Sequence, residues 1–147
     1  MSETDEKFHE LEPIKPVLCL KSTIVKTEIL KSGDRVSYNG IYRANKPIRI
    51  ATLPLGYYEG VPRQLSNLGS FITGDKTNLP ILGRVCMNHT MINIDMRPDL
   101  KVGNEITVIS MDNEDINSIR NLSKIDGLFS YSLMTGLSES TRRIITN

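Results

Sequence analysis

Chemistry in this 147-residue chain would have to come from a small set of side chains. Tyr38 stands in Ser37-Tyr38-Asn39-Gly40, Tyr57 in Leu55-Gly56-Tyr57-Tyr58-Glu59-Gly60, and Tyr131 follows Phe129-Ser130. A phenol is a ready hydrogen-bond donor. It acts as a base only where a cationic or hydrogen-bonding neighbour favours its phenolate, because a free phenol titrates near pH ~10. From context alone, Tyr38 is a turn-flanking ring whose hydroxyl meets water. Tyr57 reads as a half-buried strand-end aromatic and Tyr131 as a core tyrosine. Arg63 and Arg84 read as surface ion-pair partners. Met87 reads as core or pocket wall. Cys86 and His89 have the C-x-x-H spacing of half a zinc site, but Cys19 and His9 form no ligand-spaced pair to complete it, so no metal is expected. The two cysteines, Cys19 and Cys86, are expected as reduced, mostly buried thiols and not as a disulfide.

These residues need elements to hold them. Residues 1–16, with charges, two prolines and no apolar period, read as a polar lead-in or linker, and 17–147 as one domain. Val17 to Leu30 is rich in β-branched residues and suits a strand. Two segments echo each other, Leu30-Lys31-Ser32-Gly33-Asp34 and Leu100-Lys101-Val102-Gly103-Asn104. In each, glycine supplies a positive φ, Asp or Asn supports the turn, and a strand follows. Ile48–Leu55 reads as a strand. Phe71–Thr73 and Leu79–Leu82 flank a Gly74-Asp75 turn and form a hairpin. Thr90, Ile92, Ile94 and Met96 alternate with polar residues, and Thr107–Ser110 extends the second glycine turn. One helix is expected after a cap at Asp112 or Asn113, with a stripe of Ile116, Ile119 and Leu122 and a stop at Gly127. A shorter helical piece is expected around Tyr131–Leu137 and a last strand over Arg142–Ile145. The sum is a mostly β, barrel-like domain with one or two short helices.

Four segments in one order resemble the C-terminal β domain of the alanine racemase family. They are Val36-Ser37-Tyr38-Asn39-Gly40-Ile41-Tyr42-Arg43-Ala44, Leu55-Gly56-Tyr57-Tyr58-Glu59-Gly60-Val61-Pro62-Arg63, Gly83-Arg84-Val85-Cys86-Met87-Asn88, and the stretch from Phe129 to Ile144. The resemblance covers nearly everything from about Pro16 onward. It implies a pyridoxal phosphate-dependent isomerase of L- and D-alanine, a step toward D-alanine and peptidoglycan precursors. It assigns Tyr38 as one of two bases on opposite faces of the substrate, the other being a lysine. Tyr57, Arg63 and Arg84 would line the substrate passage, the Met87 backbone amide would face the substrate carboxylate, and Tyr131 would reach the cofactor phosphate. The cofactor lysine belongs to an N-terminal (β/α)₈ barrel of roughly 200 or more residues, and no lysine of this chain has its motif. The chain alone is therefore expected neither to hold the cofactor covalently nor to turn over. Its implied partners are that barrel, a second subunit of a homodimer whose site the tyrosine completes, and a small amino acid. The family usually has Asp where Asn88 stands. That difference removes a negative charge near the passage and bears on substrate preference more than on proton transfer. The competing reading is a non-catalytic, orphaned module that only pairs with a barrel subunit.

Composition excludes other classes. With 39% hydrophobic and 24% charged residues the chain can bury a core and is not a disordered tail. A net charge of +1, three phenylalanines and no tryptophan argue against a nucleic-acid-binding barrel, which needs phosphate neutralisation and stacking surfaces. No apolar run approaches the ~20 residues of a membrane span. The polar, acidic start is unlike a targeting peptide, so a cytoplasmic location is expected.

Overall fold

The computed structural model describes residues 15–146, so the lead-in expected over 1–16 lies outside the described residues except for Lys15 and Pro16. The strands are β1 (Leu20–Thr23), β2 (Lys26–Leu30), β3 (Arg35–Val36), β4 (Tyr42–Arg43), β5 (Ile48–Leu53), β6 (Ser70–Ile72), β7 (Asn78–Pro80), β8 (Thr90–Asn93) and β9 (Glu105–Ile109). Two short helices follow, α1 (Ile119–Leu122) and α2 (Ser130–Thr135). The strands pair antiparallel in sheets ordered β1-β9-β6-β7, β2-β5-β8 and β3-β4.

The expected single run over Val17–Leu30 is two strands in two different sheets. The chain changes sheet at Ile24 and Val25: the Ile24 N–H donates to Asn104 O at 2.9 Å, and the next N–H donates to Thr52 O at 3.0 Å. On the opposite side an isolated bridge, Ile81 to Ile92, joins the end of β7 to β8. The two larger sheets thus meet at two seams, and their strands surround one core in a barrel-like arrangement.

Alternation along β5 explains how that core supports a second, smaller one. Ala51 and Leu53 face the main cluster with Phe71, Leu79, Ile92 and Ile106. Ile48 and Ile50 point to the other face and pack with Val36, Ala44 and Leu82. The small β3–β4 hairpin sits over this second cluster, which fixes the base of the turn that carries Tyr38.

The two echoed turns form as expected. Gly33 and Gly103 have φ of 95° and 94°. In each turn the lysine N–H donates to the Asp34 or Asn104 side chain, at 2.7 and 2.8 Å. The β6–β7 hairpin also forms, although its left-handed position is Lys76 (φ 64°) and not Gly74.

Three local expectations are corrected. The longer helix shrinks to α1 and is capped by Ser118, whose hydroxyl accepts the Asn121 N–H at 3.2 Å. Asp112 is used up in a turn, accepting the Glu114 N–H at 3.0 Å and pairing with Lys76 at 2.5 Å, and Ile116 is exposed. The second helix starts one residue earlier than read and ends at Thr135. Arg142–Ile145 forms no strand; with no neighbouring strand paired to it, its β-branched residues have nothing to complete a ladder.

Candidate active site

Tyr38 lies in a one-turn 3₁₀ segment, Tyr38–Gly40, at the tip of the β3–β4 hairpin. The tip is made tight by left-handed residues on both sides, Ser37 (φ 65°) and Asn39 (φ 62°), and closed by the Gly40 N–H donating to Ser37 O at 3.1 Å. The Tyr38 ring is carried outward and is 72% exposed.

Four loops meet around this tip, joined through main-chain atoms. The Ser37 hydroxyl donates to Arg84 O at 2.7 Å and accepts the Arg84 N–H at 3.0 Å. The Tyr57 N–H donates to Cys86 O and the Tyr58 N–H to Met87 O, each at 3.0 Å. Gly56 makes that approach possible, because a Cβ there would lie 2.0 Å from Cys86 O. The Ser66 hydroxyl accepts the Val85 N–H at 3.0 Å, and Asn67 bridges Gly83 N–H (2.6 Å) and Ile41 O (3.3 Å). Arg63 places its guanidinium over the Tyr57 ring, 5.5 Å from the centroid, a cation–π contact.

Tyr38, Tyr57, Arg63, Arg84 and Met87 are therefore carried by one cluster of loops. Among the described residues neither Arg63 nor Arg84 forms an ion pair, so both charges stay available at the surface. The Met87 N–H has no acceptor within the described residues, while its carbonyl is occupied by Tyr58. Tyr131 sits in the first turn of α2, 78% exposed. The end of that helix touches the cluster: a Cβ on Gly60 would be 2.9 Å from Gly136 O. No hydrogen bond joins the Tyr131 side chain to the other five residues among the described residues.

Several residues that hold this site carried no signal in the sequence. Glu59 is the clearest: one carboxylate oxygen accepts the Gly56 N–H at 2.7 Å and the other accepts Asn88 Nδ2 at 2.8 Å. An aspartate at position 88 would set a second carboxylate against Glu59, whereas the Asn88 amide can donate to it. Ser37, Ser66 and Asn67 are equally generic residue types, and only their three-dimensional partners reveal them.

The C-x-x-H pair closes a turn. The Cys86 N–H donates to His89 O at 3.0 Å, and no group of three or more possible ligands occurs among the described residues. Both cysteines are free, largely buried thiols, as expected. Cys19 lines a depression at the β6–β7 hairpin with Lys76 and Asp112, which shares no residue with these loops; burial pushes its thiol pKa up. The site loops, 36–41, 56–69 and 83–89, contain no lysine. Elsewhere Lys21, Lys26 and Lys76 pair with Glu105, Glu28 and the Asp112–Asp115 pair. The exposed groups of these loops are phenols, guanidinium groups and a main-chain N–H, with no amine among them that could anchor a cofactor covalently. No helix among the described residues is long and apolar enough to cross a membrane.

The family described as "Alanine racemase, C-terminal domain" matches residues 17–145. The alanine racemase of Halothermothrix orenii is 35% identical over 134 residues, covering 91% of this chain and 35% of the relative. That of Leptospira interrogans serovar copenhageni is 33% identical over 135 residues, covering 91% of this chain and 34% of the relative. In structure, the alanine racemase of Bartonella henselae with covalently bound pyridoxal phosphate superposes with a TM-score of 0.79 at 23% identity, over 92% of this chain and 36% of that one. The chain spans about a third of the length of the racemases it matches. With sequence and fold in agreement over nearly its whole described length, the chain belongs to the alanine racemase C-terminal domain family.

Proposed function

We propose that this chain, over residues 17–147, serves as the C-terminal half of a pyridoxal phosphate-dependent alanine racemase, closing an active site whose other wall is a barrel domain. The observation that carries this reading is the half-open site. The main chains of the Tyr38, Tyr57, Arg84 and Met87 loops are bound tightly to one another, while the side chains stay exposed, Tyr38 at 72% and Met87 at 48%. Aromatic and apolar side chains left open on rigid loops fit a surface that a second domain covers. In a homodimer that second wall would be the barrel of the other subunit.

In this reading Tyr38 removes a proton from, or returns one to, one face of the substrate Cα, and a lysine of the barrel serves the opposite face. The free Met87 N–H receives the substrate carboxylate. Arg63 and Arg84 draw that carboxylate in, and Tyr57, held by Arg63, narrows the passage. Tyr131 donates to the cofactor phosphate. Bound pyridoxal phosphate supplies the sink for the electrons of the Cα–H bond. A positioned base contributes ~10²–10⁴-fold in rate.

The test is to combine the chain with the matching barrel domain and follow solvent deuterium uptake at Cα separately from L- and D-alanine. The chain alone is expected to be inactive, and the pair to racemise. Tyr38→Phe must slow net racemisation equally in both directions, as the equilibrium requires, yet exchange of the enantiomer served by the lysine should persist. Equal uptake from both enantiomers at the wild-type rate would make Tyr38 a packing residue. A pair that assembles without any racemisation would favour a module that only binds its barrel.

A further inference from the structure

We propose that Ser37 is a positioning residue for Tyr38. Its hydroxyl fastens a strained main chain to the Arg84 peptide unit and so aims the phenol; this rests on reading Tyr38 as the base. Ser37 has φ 65° and ψ −178°. That region is occupied almost solely by glycine, and another residue stays there only where its surroundings over-determine it. Here they do. The Oγ atom both donates to the carbonyl of Arg84 at 2.7 Å and accepts its N–H at 3.0 Å, and Cys86 Sγ lies 3.5 Å away. Behind it Gly83 leaves the room required, since a Cβ at 83 would lie 2.9 Å from Ser37 Cβ.

The Tyr38 hydroxyl and ring have no hydrogen-bond or ion-pair partner among the described residues, and nothing on the ring itself fixes its direction. The direction comes from the backbone on either side. Downstream, Asn67 Nδ2 holds Ile41 O at 3.3 Å. Upstream, the anchor is Ser37. The same bonds reach the loop whose Met87 N–H would hold the substrate carboxylate, so Ser37 sets the distance between base and substrate and not only the shape of a turn. A small misplacement of a reacting group can lower a rate by ~10²-fold.

Two variants separate bonding from strain. Ser37→Ala keeps the Cβ and its strain and loses both hydrogen bonds; Ser37→Gly loses the bonds and relieves the strain. In the chain itself, hydrogen exchange of the Arg84 amide should rise ~10-fold in both. Combined with the barrel domain, both should slow Cα exchange on the tyrosine face ~10–100-fold, with exchange on the other face and KM within about twofold. An Arg84 amide unchanged in Ser37→Ala overturns the proposal, as does a Ser37→Gly enzyme that keeps the wild-type rate. If Tyr38→Phe silences one face while both Ser37 variants leave it intact, the positioning role fails and the base assignment stands. If Tyr38→Phe silences neither face, the base assignment fails, and the positioning role with it.

Discussion

Replacing Gly56 by alanine should disable the site while leaving the sheets in place. The new methyl would lie 2.0 Å from Cys86 O, 2.5 Å from Met87 O and 2.6 Å from Met87 C. Real Cβ contacts essentially never fall below 3.0 Å, so the two loops must separate by about an ångström, and every obstructing atom is backbone. That separation breaks the Tyr57–Cys86 and Tyr58–Met87 hydrogen bonds and the Gly56 N–H bond to Glu59. Two or three such bonds are worth ~0.5–1.5 kcal/mol each, and overpacking adds ~1–3 kcal/mol, for a loss of about 2–7 kcal/mol. Urea unfolding of the chain measures it directly as a lower midpoint with an unchanged slope. Backbone amide exchange should localise the change to Tyr57 and Tyr58. A loss below about 1 kcal/mol, or exchange at those amides equal to wild type, would refute the view that the loops are held by close main-chain contact.

Gly74→Ala is the opposite case: its Cβ meets nothing within 4 Å, so a gain of about 0.4–1 kcal/mol through the unfolded state is expected in the same unfolding assay. Stability should also fall with acid. The hydroxyls of Thr73 and Thr77, with Arg97 nearby, lower the Asp75 carboxyl from 3.8 to about 2. A carboxylate depressed in the folded state stabilises above its unfolded value and loses that contribution as pH falls toward about 2. Thermal melts between these limits should drop less in Asp75→Asn. Asn88→Asp should destabilise the loop by about 1 kcal/mol at neutral pH, because two carboxylates then face each other, and recover as acid protonates one of them. A pH-independent effect would count against the Glu59–Asn88 contact as its cause.

The features legible in the sequence were those in which chemistry and geometry are local. Lys-Ser-Gly-Asp and Lys-Val-Gly-Asn could be read as turns because a positive-φ glycine and an Asx side chain complete the structure within four residues. The hairpin at 73–77 and the alternation of Thr90 and Ile92 were legible for the same reason. The break at Ile24 was not, because its two N–H groups are satisfied by Asn104 and Thr52, far away in sequence. Helix α1 was misplaced because Asp112 and Ser118 are equally good caps on paper, and the choice depends on a bridge between Ser110 and Ser118 and on an ion pair to Lys76. At the site, the resemblance singled out the outward-facing residues. It gave no role to Ser37, Glu59, Ser66 and Asn67, whose types fit any loop and whose roles lie entirely in their partners.

The way the site loops are bound divides labour between two groups of residues. Their mutual attachment runs through peptide groups, one glycine and a few short polar side chains, whereas Tyr57, Arg63, Arg84 and Met87 attach to the scaffold almost solely by their main chains. Rigidity and recognition are thus encoded at separate positions. Anyone seeking a domain with altered substrate preference can diversify the outward side chains as a library with little risk to folding. The small residues beneath them form the part of the sequence that such a library should leave untouched.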